Sequence, residues 1–428
     1  MLANEHAAHL LRARHAAVSS RQVSRYYQGV QKALLLENIH PLAVANLKAR
    51  GFEVVTTSGA LDEDELIAAT QDVSVLGIRS KTHVTQRVLE SSPQLETVGA
   101  FSIGTNQIDL QAAADRGIAV FNAPYSNTRS VVELVIGEIV MLVRHIPQKD
   151  RLAHRGIWDK SATGSHEVRH RTLGIVGYGN IGAQLSVVAE AMGMKVIFFD
   201  PQEKLAMGNA ERRHTLNELL AEADIVTLHV DGRKENTGFF GEAQFSAMKD
   251  GAMFINNARG HVVDLDALYA AIKSGHLGGA AVDVYPTEPK KRGDAFDTPL
   301  AEFDNVILTP HIGGSTEEAQ ENIGRFVSGK LIDYIKHGDT SLSVNLPPLT
   351  LPWTEGIHRI AHIHRNIPGV LAKINSTLSE LGVNIESQVL GTRGQIGYAV
   401  TDVADWVDEE VLNVLRDWDE TIRLRIMG

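Results

Sequence analysis

From Lys32 onward, short apolar runs alternate with stretches of helical period, the pattern of a parallel sheet with crossover helices. Ala33–Leu36, Phe52–Thr56, Val73–Ile78, Thr97–Phe101 and Ala119–Phe121 read as five strands. Helices are predicted between them at Pro41–Arg50, Glu63–Thr70 and Gln86–Ser91, which completes a flavodoxin-like unit. Thr128–His145 then predicts one long helix with little charge on most faces, hence one buried between layers. Six further apolar runs follow: Leu173–Val176, Val196–Phe199, Ile225–Leu228, Ala252–Ile255, Gly279–Val282 and Val306–Leu308. Six parallel strands match a doubly wound sheet, whose ligand lies at the carboxyl ends of the strands. Ser315 and Glu318 predict a capping box for a helix to about His337, which would return the chain to the first unit. Leu346–Glu355, with Pro347, Pro348 and Pro352, reads as a linker. Beyond it the rhythm becomes βαββαβ, a ferredoxin-like order. The strands are predicted at Ile357–His364, Asn384–Leu390, Tyr398–Asp402 and Thr421–Ile426, and the helices at Val370–Leu381 and Glu409–Trp418.

The segment from Leu173 to Asp200 turns this outline toward chemistry. Gly177, Gly179 and Gly182 form G-x-G-x-x-G directly after a predicted strand, and Asp200 closes the next one. The glycines allow a tight turn, close approach of a pyrophosphate, and packing of helix on strand, while the helix N-terminus offers free N–H groups. Asp200 is placed to bond both ribose hydroxyls of NAD and to repel the extra phosphate of NADP.

Composition narrows the options. The chain has 428 residues, too many for one core, and no cysteine, which removes disulfides, thiolate catalysis and thiolate metal sites. A net charge of -11 argues against nucleic acid as a partner, so an anionic substrate needs local cations. No apolar run is long enough for a membrane span. Residues 1–30 carry Arg12, Arg14, Arg21 and Arg25 against Glu5 alone. They fit a transit peptide, a loose extension or a start codon placed early. The expected location is cytoplasmic, with organellar targeting left open.

Three constellations sit at the ends of predicted strands: Asn256-Asn257-Ala258-Arg259-Gly260, Asp283-Val284-Tyr285-Pro286-Thr287-Glu288-Pro289, and Thr309-Pro310-His311-Ile312-Gly313-Gly314. Together they supply what hydride transfer at a hydroxyl-bearing carbon requires. His311 can take or give the proton, Glu288 can support the imidazolium, and Arg259 can hold a carboxylate through two parallel bonds.

These motifs resemble the D-isomer-specific 2-hydroxyacid dehydrogenases, in which Arg, Glu and His of the same motifs are catalytic. Ile78-Arg79-Ser80-Lys81-Thr82, Ser102-Ile103-Gly104-Thr105-Asn106 and Phe121–Ser130 are similar to the ACT-bearing, serine-inhibited type that acts on 3-phospho-D-glycerate. The resemblance runs from about Lys32 to the C-terminus. It implies a substrate domain at 31–127 and 315–345, interrupted by a Rossmann NAD domain at 128–314. A linker at 346–356 and an ACT domain at 357–428 would follow. It implies that Arg79, Ser80, Lys81 and Asn127 meet the substrate, and that Trp158 and Lys160 reach a neighbouring subunit. It adds Asn180 and Ile181 to the three glycines at the pyrophosphate. Asn257, Ala258, Arg259, Asp283, His311, Ile312, Gly313 and Gly314 would lie toward the nicotinamide. His364, Asn366 and Asn384 would contact L-serine where two ACT domains pair, within a homotetramer held through ACT and NAD domains. No metal is implied. The implied reaction yields 3-phosphohydroxypyruvate, with 2-oxoglutarate reduction as a side activity. Another 2-hydroxyacid dehydrogenase and a dinucleotide-sensing scaffold stay open as alternatives.

Overall fold

The computed structural model describes residues 31–289, 293–404, 407 and 409–427. The expectations for residues 1–30 lie outside them. The described residues form two compact units, one from those up to Asn122 together with those from Gly324 onward, the other from those within Ala123–Ile323.

In the first unit, β1 (Lys32–Leu35), β2 (Glu53–Thr56), β3 (Val75–Ile78), β4 (Thr97–Ala100) and β5 (Ala119–Phe121) make a parallel sheet in the order β2-β1-β3-β4-β5. That is the flavodoxin-like order. β3, β4 and β5 are buried throughout, as befits parallel strands covered on both faces. Helix Glu317–His337 brings the chain back into this unit, where Ser328 accepts from Asn46 Nδ2 at 3.0 Å. Its cap is Thr316, not Ser315: Thr316 Oγ1 accepts from Ala319 N at 3.1 Å. Ala319 has no polar side chain to answer, so the expected reciprocal box does not form.

The same unit carries β13 (His358–Arg365), β14 (Ile385–Arg393), β15 (Ile396–Val403) and β16 (Thr421–Met427), an antiparallel sheet ordered β14-β15-β13-β16. Helices Val370–Glu380 and Glu409–Arg416 accompany this sheet, completing the expected βαββαβ. The linker is firmly tied. Thr340 Oγ1 donates to Pro347 O at 2.7 Å and accepts from Leu349 N at 3.0 Å. Arg359, wholly buried, forks onto Asp402 and also donates to the carbonyls of His337, Leu351 and Pro352.

The second unit is a parallel sheet of β6 (Thr172–Val176), β7 (Lys195–Phe199), β8 (Glu211–Arg212), β9 (Ile225–Leu228), β10 (Met253–Asn256), β11 (Gly279–Val282) and β12 (Val306–Leu308). The order is β12-β11-β10-β9-β6-β7-β8, a doubly wound sheet with one strand more than expected. The addition, β8, is two polar residues paired with Ile197 and Phe198, which no apolar run announces. Helix Thr128–Val143 is buried through Val131, Val132, Val135, Ile139 and Leu142. It stops two residues before the expected end, because Pro147 lacks an N–H and its ring would strike the Val143 carbonyl. His145 turns left-handed (φ 52°), and a separate helix, Ile146–His154, follows. Among the described residues no helix is long and apolar enough to cross a membrane.

Candidate active site and cofactor cradle

Parallel register places β10, β11 and β12 side by side, so the three chemical motifs leave adjacent carboxyl ends. His311 Nδ1 lies 2.8 Å from Glu288 Oε2, and Glu288 Oε1 accepts from Tyr285 N at 3.2 Å. His311 has a left-handed backbone (φ 53°), an uncommon state for a side chain of its size. Asp283 holds that turn: its carboxylate accepts from Ile312 N and Gly313 N, each at 2.8 Å, and from Thr309 Oγ1 at 2.7 Å. One acceptor direction of Asp283 then remains for a further donor.

Electrostatics follow from this geometry. The bond to Glu288, with its charge, holds His311 above the ordinary imidazole range despite burial. Burial pushes Glu288 up, but the His311 bond and charge, helped by Arg259, bring it below the usual carboxylate value. Arg259 is lowered by burial, with Glu288 and Asp231 opposing. Asn256 shapes the Arg259 loop from within, accepting from Ala258 N at 3.1 Å and donating to Arg259 O at 3.3 Å.

The glycine fingerprint has the form a dinucleotide needs. Gly177 has φ 91°, and a Cβ on Gly182 would fall inside contact distance of the Gly177 carbonyl. Among the described residues a Cβ at Gly179 would meet nothing, which leaves open space before the N-terminus of helix Asn180–Ala191, where no described side chain caps the N–H groups. Ile181 follows in the first turn. Asp200 is aimed by two backbone donors, Tyr178 N and Gln202 N, both at 2.9 Å. These features fit NAD: an anion-ready helix end, and a buried acid beyond the neighbouring strand.

Asn127, just before helix Thr128–Val143, has a buried Oδ1 with no partner among the described residues, and Gly314 packs against its amide. Trp158 is 87% exposed, and Lys160 is also exposed, on a stretch without regular structure.

In the first unit, Arg79, Ser80 and Lys81 follow β3 on a turn organised by Glu37, which the sequence reading overlooked. The buried Glu37 carboxylate accepts from the backbone N–H groups of Arg79, Ser80, Lys81 and Thr82 at 2.9–3.2 Å. With those donors occupied, an anion at this turn meets side chains rather than backbone. Glu37→Gln sets an amide NH2 against N–H donors and is expected to cost about 1–3 kcal/mol of stability. Urea denaturation checks this, and an unchanged midpoint rejects it. The only sequence signal was an acid directly after the apolar run of β1.

The three effector candidates are not adjacent within one chain. His364 pairs with Gly397 at one end of the antiparallel sheet. Asn366 Nδ2 donates to Gly394 O at that same end. Asn384 precedes Ile385, whose partner Val403 faces His358 at the opposite end, about 20 Å away along the strand. His364 Nε2 is buried without a partner among the described residues.

Comparison with known proteins matches residues 136–313 to the D-isomer specific 2-hydroxyacid dehydrogenase NAD binding domain, and residues 360–423 to the AHAS small subunit-like ACT domain. The D-3-phosphoglycerate dehydrogenase of Haemophilus influenzae is 51% identical over 397 residues, 92% of this chain and 97% of the relative. That of Escherichia coli is 49% identical over 399 residues, with the same shares covered. Among solved structures, D-lactate dehydrogenase from Aquifex aeolicus complexed with NAD and lactic acid is similar with a TM-score of 0.62 and 27% identity. It covers 71% of this chain and 95% of that one.

Proposed function

The chain belongs to the D-isomer-specific 2-hydroxyacid dehydrogenase family, on the branch of the phosphoglycerate dehydrogenases, and from that premise we propose that it oxidises 3-phospho-D-glycerate to 3-phosphohydroxypyruvate. It is an NAD-dependent dehydrogenase. The observation that carries the reading is the His311–Glu288 pair beside Arg259 at three neighbouring strand ends.

NAD supplies the acceptor for the hydride. Gly177, Gly179, Asn180, Ile181 and Gly182 would hold its pyrophosphate, and Asp200 its adenosine ribose. Asn257, Ala258, Asp283 and the 312–314 turn would lie toward the nicotinamide. Glu288 fixes His311 with Nδ1 turned toward the carboxylate, which leaves Nε2 to receive the hydroxyl proton. The imidazolium that forms is stabilised by the same carboxylate. Arg259 holds the substrate carboxylate and polarises the carbonyl, while the side chains of Arg79 and Lys81 take the phosphate. Asn127 orients the substrate, and Lys160 is assigned to a partner's substrate site.

Serine is the proposed inhibitor. The separation of Asn384 from His364 and Asn366 supports a site completed only by two copies of the ACT sheet, and hence an oligomer. A homotetramer, a cytoplasmic location and a side activity on 2-oxoglutarate belong to the same proposal. NADH consumption with 3-phosphohydroxypyruvate, with and without millimolar L-serine, tests it. Rapid oxidation suppressed by serine is expected. Activity without suppression discards the inhibitor, and activity confined to acids lacking a phosphate discards the substrate.

A further inference from the structure

Helix Thr128–Val143 buries an acid that the chemistry above leaves without a task. Glu138 is fully buried, on the same helix face as Val135, Ile139 and Leu142. Its Oε2 accepts from Asn257 Nδ2 at 2.9 Å. Its Oε1 meets no donor among the described residues, and Oδ1 of Asn257 is equally without one. Two orphaned oxygens on two groups already in contact would be costly in so dry a place. One proton removes the deficit. A neutral carboxylic acid is both donor and acceptor, so it can face a carboxamide with N–H···O one way and O–H···O the other.

We propose that Glu138 is a positioning residue which, as the neutral acid, clamps Asn257 through a two-way hydrogen bond and so holds the loop presenting Arg259. The inference rests on the reading of Arg259 as the substrate anchor. Asn256 braces that loop from inside, and Glu138 supplies the brace from the helix behind it.

The surroundings agree. Burial pushes Glu138 up to about 8, the Asn257 bond opposes this, and the charge of Asp283 adds to it. Asp283, after β11, acts on Glu138, and Glu138 in turn acts on Tyr285 beyond it. Tyr285 donates its hydroxyl to the Val282 and Thr309 carbonyls, and burial raises it far above neutrality, so it stays uncharged. The apolar core packed on this helix includes Leu185 and Ala189 of helix Asn180–Ala191, with Ile255 of β10 and Ala281 of β11.

The test compares full-length wild type with E138Q and E138A. Glutamine keeps both rungs of the clamp and cannot ionise. E138A is expected to lose about tenfold or more in kcat/KM for 3-phosphohydroxypyruvate, because the Arg259 loop shifts. E138Q should stay close to wild type at neutral pH, and should lose less than wild type as pH rises past about 8. Thermal melts give a second readout. The unfolded chain releases this proton in the ordinary carboxylate range, while the folded one keeps it to about 8. Wild-type stability from this group therefore falls with rising pH across that interval, and the Tm advantage of E138Q should widen over it. Wild-type kinetics in E138A, damage in E138Q equal to that in E138A, or a Tm gap that ignores pH overturns the inference. A wild type inactive on the keto acid refutes the substrate reading instead, and the melts then decide on the clamp alone.

Discussion

His311→Ala is expected to lower turnover by about 10²–10⁴-fold, the contribution usual for a positioned acid–base group. Alanine removes the group that takes the hydroxyl proton, whereas the turn itself is held by Asp283 through Ile312 N, Gly313 N and Thr309 Oγ1. The melting temperature should therefore change little, and steady-state kinetics beside a thermal melt would separate the two effects. Glu288→Gln gives the pH signature. Glu288 raises His311, and reduction of the keto acid needs the protonated ring, so activity is present below the raised value and lost as pH passes through it. Without the carboxylate the ring loses its proton earlier, and the alkaline limb of reduction should move to lower pH. A limb that stays in place would show that some other group carries the proton.

Arg259→Ala is expected to reduce kcat/KM by about 10²–10⁴-fold, because it strips a partner from a charge held in a largely desolvated position. Arg259→Lys should recover only part of this. An ammonium restores charge but not the planar fork, so one of two parallel bonds is lost, about 10–10²-fold. The loss should appear in KM for the hydroxy acid and in kcat together, since the same guanidinium meets carboxylate and carbonyl. A lysine variant with wild-type kcat/KM would mean that Arg259 does not hold substrate, and the Glu138 clamp would then have nothing to position.

Periodicity and local motif were enough for whatever depends on near neighbours in the chain. The strands of both parallel sheets other than β8, the βαββαβ tail, the glycine turn with Asp200, and the motifs bearing Arg259, Glu288 and His311 were legible. Each follows from residue spacing, turn chemistry or a short contiguous signature. Errors were also local, and each has a local cause. Pro147 ends the helix at Val143, and Thr316 rather than Ser315 takes the cap because the helix starts one residue later. β8 is invisible because two polar residues carry no period.

Only the tertiary structure decided how remote residues serve the site. Glu37 stands 42 to 45 residues from the N–H groups it binds, and Glu138 lies 119 residues from Asn257. In the sequence both are single acids beside or within apolar runs, with nothing to name a partner. An acid becomes informative only when burial removes water and leaves it to be satisfied by whatever the fold brings near. The same holds for Asn384, which motif alone groups with His364 and Asn366, and which strand register places at the far end of the sheet. Sequence determined which chemistry this chain carries, because hydride-transfer motifs are contiguous. Tertiary structure decided which groups hold that chemistry in place, because hydrogen bonds and desolvation act through space rather than along the chain.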